Sequence, residues 1–181
     1  MDARDYRESE TLKDAAAVTV RSIHAEDGES VLEAFKSMDK ESVYRRFFSP
    51  KKELSPTELE QLTDVDFSNV VALVVTKTSA EGELLIGGGR YAMDGPGATE
   101  AEIAFMTNGS YRGLGIASLV LKHLVCIARG ARVTRFEAEV LAENQPMLAV
   151  FRRSGLPMSL KRDGGVFHVT LSLQSEPDSR L

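Results

Sequence analysis

A single α/β domain, with helices flanking a mixed and mostly antiparallel sheet of about six to seven strands, is the fold class this sequence predicts. Three observations lead there. The chain has 181 residues, 43% of them hydrophobic, which suits one core of ordinary size and makes a second full domain unnecessary. A β-branched run in mid-chain, Val70 to Thr78, is followed by two further strand-like segments set off by short turns, the pattern of a meander. Beyond it helical and strand periods alternate, which places helices over a sheet.

Each element has its own justification. Eight of the first fourteen residues are charged and show no apolar period, so 1–14 is expected to be a disordered tail ahead of a folded region at 15–173. AAVTVRS, Ala16 to Ser22, has strand character. EDGESVLEAFKSM, Glu26 to Met38, sets Val31, Leu32, Phe35 and Met38 on one helical face. KESVYRRFFS supplies a second short helix that Pro50 is expected to end. Ser55, Pro56 and Glu58 have the capping chemistry of a helix start for PTELEQLT. Val70 to Thr78 and ELLIGGGRYAM make a hairpin about Glu81 and Gly82, and Gly87 to Gly89 inside it suggest a bulge or close backbone packing. After MDGPGAT, the strand EAEIAFMT alternates Ala101, Ile103 and Phe105 with Glu100, Glu102, Ala104 and Met106. A long helix ending at Gly130, the strand TRFEAEVL, the helix NQPMLAVFRRSG and a hairpin turning at Asp163 to Gly165 complete the order. Residues 174–181 have the composition of a tail.

Composition narrows the function classes. Lys plus Arg is 22 and Asp plus Glu is 27, a net charge of −5, which argues against general nucleic-acid binding. The stretch from Arg90 to Thr170 nevertheless holds ten basic and seven acidic residues, so that half favours a small anionic ligand. Cys126 is the single cysteine, which excludes an internal disulfide and suits a reducing compartment. It shares a polar helical stripe with Ser118, Lys122 and Arg129 and has no histidine placed to activate it, so it reads as passive. The N-terminus is charged where a signal peptide is apolar, and no apolar run approaches the ~20 residues of a membrane span. A cytoplasmic protein without a membrane partner is expected. His24, His123 and His168 lack metal-ligand spacing, so no metal is expected.

The segment YRGLGIASLVLKHLVCIARG, Tyr111 to Gly130, poses the functional question. Its expected first turn holds Gly113 and Gly115, each costing about 1 kcal/mol relative to alanine inside a helix, and no Ser, Asp or Asn caps it. Glycines at a strand-to-helix junction expose successive backbone N–H groups at the positive end of the helix dipole, where a pyrophosphate fits. The small Ala117 and the fixed cation of Arg112 suit the same ligand. A tight structural turn explains the glycines equally well. The dinucleotide fingerprint does not apply, because these glycines follow a meander, and the triphosphatase loop does not apply, because Gly-Lys-Ser/Thr is missing.

Arg112-Gly113-Leu114-Gly115-Ile116-Ala117 resembles the acetyl-CoA signature Arg/Gln-x-x-Gly-x-Gly/Ala of the GNAT acetyltransferase superfamily. AEIAFMTNGSYRGLGIAS resembles the fourth strand, turn and cofactor helix of that fold, and VLAENQPMLAVFRRSGLP its next strand and helix, Asn-x-x-Met-x-x-x-Phe-x-x-x-Gly. VYRRFFSPKKELSPTELEQLTDVDFSNVVALV is similar to bacterial protein-lysine acetyltransferases that modify acyl-CoA synthetases. The resemblance spans roughly Ala16 to Leu173.

It implies acetyl-CoA as co-substrate and an amine, a protein lysine in that subfamily, as acceptor. A free lysine has a pKa near ~10.4, so a base is useful at neutral pH. The resemblance gives that role to Glu102, whose alternative is to solvate an exposed strand face as Glu100 does. It gives cofactor contacts to Ala104, Phe105 and Met106 on the strand, to Arg112, Gly113, Leu114, Gly115, Ile116 and Ala117 at the turn, and to Asn144 at the next strand's end. Many members place a tyrosine after that Asn to protonate the leaving thiolate. Phe151 stands there, with Tyr111 and Tyr91 nearby only as packing candidates. Lys36, Lys40, Arg45, Arg46, Lys51 and Lys52 form a basic face that is either solvated or borders a protein acceptor. Small-molecule amines and a non-catalytic acyl-CoA sensor remain open alternatives.

Overall fold

The computed structural model describes residues 2–174; the tail expected at 174–181 lies, from Ser175 onward, outside the described residues. Among the described residues the sheet has eight strands in the order β1-β2-β3-β4-β5-β6-β8-β7. These are β1 (Arg7–Thr11), β2 (Ala17–Ser22), β3 (Val70–Ser79), β4 (Gly82–Met93), β5 (Glu100–Thr107), β6 (Arg135–Leu141), β7 (Met158–Asp163) and β8 (Val166–Ser172). Every neighbouring pair is antiparallel except β5 and β6. The helices are α1 (Gly28–Ser37), α2 (Lys40–Phe47), α3 (Pro56–Thr63), α4 (Ile116–Gly130) and α5 (Gln145–Arg153). None of the described helices is long and apolar enough to cross a membrane.

β3 shows why its sequence is continuously apolar rather than alternating. Val71, Leu73 and Val75 enter the main core with Val120 and Leu124 of α4, while Ala72 and Val74 pack with Val31 and Ala34 of α1 on the opposite face. A strand covered on both sides needs apolar residues at both parities. The capping expectation for α3 is met: Ser55 Oγ accepts from Glu58 N at 3.2 Å and Ser55 N donates to Glu58 Oε2 at 2.9 Å. α2 stops earlier than expected. Phe48 adopts the left-handed conformation at φ 54°, so the chain leaves the helix two residues before Pro50.

The charged N-terminus is not a free tail. Arg7 to Thr11 pairs in register with Ala17 to Arg21 as the edge strand β1, which raises the strand number to eight. The exposed charges that suggested disorder are those an edge strand carries against sheet-to-sheet association. Ala3 and Leu12 anchor its two ends in the main core, and Tyr6 packs against it.

The Gly87–Gly89 stretch proves to be close packing beside a bulge. The β3–β4 register shifts at Val75/Thr76, leaving Ile86 as the extra residue of β4. A Cβ at Gly87 would lie 2.7 Å from Ile116 Cγ2, one at Gly88 2.5 Å from the Leu73 carbonyl oxygen, and one at Gly89 2.7 Å from Phe105 Cδ1 and 2.9 Å from Val120 Cγ1. Overpacking of this kind costs about 1–3 kcal/mol, so Gly88→Ala should lower the urea-unfolding free energy by that amount. Gly165→Ala, where a Cβ meets nothing within 4 Å, should stay within about 0.5 kcal/mol of wild type. Equal effects of the two would remove the packing explanation.

Candidate active site

The parallel register of β5 and β6 runs from Glu100/Arg135 to Glu102/Glu137 and stops. Beyond it, Ile103 to Thr107 continue along β4, and Ala138 to Leu141 along β8, without pairing to each other. The diverging strands open a cleft of about 530 Å³. Along its wall the β5 backbone has no strand partner on the β6 side, so its polar groups are free for an extended ligand.

Glu102 stands at the vertex where the strands part, exposed and lining the cleft. The opposite rim is the turn before α4. There Asn108 Oδ1 accepts from Ser110 N at 3.0 Å, and Gly113 and Gly115 adopt φ of +76° and +92°. The helix itself begins at Ile116, so neither glycine is inside it as the sequence suggested. Both are required first by the left-handed backbone, which penalises any Cβ. Gly115 caps α4 without a side chain, and the amides of the first turn have no side-chain acceptor. With the helix dipole behind them they favour an anion.

Of the residues expected to form the site, Glu102, Ala104, Phe105, Met106, Arg112, Gly113, Gly115, Ile116, Ala117 and Asn144 all line this one cleft. Leu114 does not. Its side chain turns inward onto the main core, and only its backbone stays in the turn. Asn144 also caps α5, its Oδ1 accepting from Met147 N at 3.3 Å. Phe151 is 1% exposed and meets Phe105 at a ring distance of 6.1 Å, so the α5 wall is apolar at this position. Tyr111 does line the cleft, whereas Tyr91 is buried away from it and burial pushes its phenol up to about 12.

The charges are arranged around this frame. Arg112 is ion-paired with Asp39 and hydrogen-bonded to Ser42 Oγ, tying the glycine turn to the start of α2. Asp39 is also the α2 cap, accepting from Ser42 N at 2.9 Å, and that backbone bond, with help from Arg112, holds its carboxyl below the usual range. Arg46 on α2 reaches the cleft near Glu102, and burial, with Arg90 beside it, lowers its guanidinium to about 10. Lys13 lines the cleft from the N-terminal hairpin, a residue sequence reasoning missed because it placed that segment in a tail. Chemically, the cleft can hold an anion at one rim, an extended chain along β5, and an amine beside a carboxylate at the vertex.

Asp39→Ala removes both the cap and the Arg112 tether and should cost about 1 kcal/mol of stability at neutral pH. Because the carboxyl is depressed in the folded state, its contribution is present above the ordinary aspartate value and is lost as pH falls from there through the lowered folded-state value. Unfolding curves of both proteins from neutral to acid pH should therefore converge. A constant gap would assign the loss to packing.

Comparison with known proteins bears on the site. The model of the acetyltransferase (GNAT) family matches residues 39–156. The chain is 36% identical over 133 residues to acetyltransferase Pat of Mycolicibacterium smegmatis, covering 71% of this chain and 38% of that protein. It is 32% identical over 124 residues to an acetyltransferase of Pseudomonas aeruginosa, covering 66% of this chain and 64% of that one. The chain thus spans less than two thirds of the length of these relatives. The solved GNAT domain of S. lividans PAT superposes with a TM-score of 0.82 at 31% identity, over 92% of this chain and 96% of that domain. The family match over most of the chain, together with a sheet that splays beside a glycine-turned helix, shows that this chain belongs to the acetyltransferase (GNAT) family.

Proposed function

We propose that the chain is an acetyl-CoA dependent N-acetyltransferase that works by direct attack in a ternary complex, with Glu102 as general base and a protein lysine as acceptor. The observation that carries this reading is that Glu102 and the α4 turn line one continuous cleft, opened where β5 leaves β6. The turn and Ile116 and Ala117 take the pyrophosphate, and the unpaired β5 backbone at Ala104 to Met106 takes the extended arm of the co-substrate. The thioester then lies near the vertex on this reading.

The acceptor amine then loses its proton to Glu102, directly or through water, and its lone pair attacks the thioester carbonyl. Backbone N–H groups of β5 stabilise the oxyanion as it forms. The C–S bond breaks, the acetyl group stays on nitrogen, and CoA leaves as thiolate. With Phe151 in the α5 wall, Tyr111 or water provides the proton it acquires. The lysine acceptor rests on the similarity at Val43–Val74 to synthetase-modifying enzymes, and on the basic α1–α2 surface as a docking face. A cytoplasmic site of action accompanies that partner class.

A second reading, a non-catalytic acyl-CoA sensor, is favoured by one observation, the hydroxyl missing at Phe151. Release of free thiol from acetyl-CoA with a panel of acyl-CoA synthetases and small amines separates the two. Turnover with a synthetase supports the proposal, turnover only with small amines replaces the acceptor, and binding without turnover leaves the sensor.

Glu102→Gln should lower turnover by about 10² to 10⁴-fold with acetyl-CoA affinity unchanged, the range for a lost base. In pH profiles from about 6.5 to 9.5, the loss should shrink as the acceptor's own deprotonation takes over. A constant offset would make Glu102 an acceptor-positioning residue, and no loss would leave it as strand solvation.

A further inference from the structure

The N-terminal hairpin ends against the glycine turn. Between β1 and β2 the chain reverses at Leu12–Ala16, where Leu12 N donates to Ala16 O at 2.9 Å, Asp14 Oδ1 accepts from Ala16 N at 3.1 Å, and Ala15 is left-handed at φ 65°. Leu12 is buried in the main core, so the reversal is held in place from below. Lys13 N donates at 3.3 Å to the carbonyl of Leu114, the residue between the two left-handed glycines. The Lys13 side chain then lies across Gly115, close enough that a Cβ there would meet Cε at 3.3 Å.

The hairpin is latched to the outer face of α4 as well. The Tyr6 hydroxyl donates to Nδ1 of His123, and Nε2 of the same ring donates to Glu10 at 3.0 Å. Lys122 donates to the same Glu10 oxygen at 2.9 Å. This pattern fits a neutral imidazole, and burial keeps the His123 ring below its ordinary value. β1 is therefore fastened to the very helix whose start forms the rim of the cleft.

The two cations at that rim are in different situations. Arg112, the one supplied by the family signature, is engaged with Asp39 and Ser42. Lys13 is exposed and lines the cleft, and no carboxylate among the described residues pairs with it. A flexible ammonium over an uncapped helix start is the charge that a bound phosphate would draw in.

We propose that Lys13 is a ligand of the co-substrate's pyrophosphate, presented by the β1–β2 hairpin, and that Arg112 acts as the tether between the glycine turn and α2. The inference rests on the acetyl-CoA reading of the cleft. The β1–β2 hairpin is on this view part of the binding site, and Tyr6 is a positioning residue that acts through Lys13.

Calorimetric titration of the full chain with CoA and with dephospho-CoA, which keeps the pyrophosphate and lacks the 3′-phosphate, tests it. Lys13→Ala should weaken both ligands equally by about tenfold, the value of one charge-assisted contact, and Lys13→Arg should restore most of the loss. The ligand-free thermal midpoint of Lys13→Ala should match wild type, since its side chain is solvent-exposed. Tyr6→Phe should weaken CoA binding by about threefold in the wild-type background and not at all in Lys13→Ala, the signature of action through Lys13.

Unchanged CoA affinity in Lys13→Ala overturns the assignment while the function proposal stands. A loss confined to CoA moves Lys13 to the 3′-phosphate and also overturns it. A Tyr6→Phe penalty of equal size in both backgrounds removes the positioning role. Failure of the wild-type chain to bind either ligand overturns the acetyl-CoA reading, and this inference with it.

Discussion

The absence of side chains at Gly87, Gly88 and Gly89 is the constraint from which the functional geometry follows. With no Cβ at Gly87 and Gly89 of β4, Ile116 and Val120 of α4 settle directly onto the strand, and Phe105 of β5 closes over Gly89 from the side. α4 can then lie low enough on the sheet for its first residues to reach the end of β5. Any larger residue would lift the helix away and separate the anion-favouring rim from the strand wall. Glycine weakens a strand, but the dense helix-on-sheet packing it permits here offsets that weakness.

The cleft itself arises from a broken ladder. β5 and β6 share only three residue pairs before each follows its outer neighbour, β4 or β8. The backbone groups of both strands that face the gap beyond Glu102 and Glu137 are left without strand partners, a cost that persists only where something else satisfies them. An extended ligand with carbonyl and amide groups of its own would do so in a complex. Glu102 occupies the last paired position, so its backbone is held by the sheet while its side chain meets the opening.

Charge is distributed unevenly along the cleft. Lys13 and the α4 start make one rim positive, whereas Arg46, with Arg90 near it, lies by Glu102 at the vertex. Arg46 is half-buried with a like charge near it, and Glu102 is the carboxylate that offsets this. Arg112 links the regions mechanically rather than as a free cation, because Asp39 and Ser42 hold it to α2.

Most of the element order was legible in the sequence, and so were ten residues that line the candidate cleft, because both depend on local chemistry. Period-two and helical patterns, the Ser55–Glu58 capping box and the spacing Arg112 to Ala117 are properties of neighbouring residues. The same local reasoning misjudged 1–14, where the partner of each β1 residue lies about ten positions along the chain and the latch residue His123 more than a hundred. It also assigned Leu114 to the cleft, since spacing alone does not say which residue of a turn points inward. Sequence by itself determined the class of fold, the family, and a glycine turn suited to an anion. Only the tertiary structure decided that β5 and β6 part at Glu102, that Arg112 is held by α2, and that Lys13 arrives over Gly115. Each of these depends on segments distant in the chain meeting across a packed sheet, and no local pattern encodes such meetings.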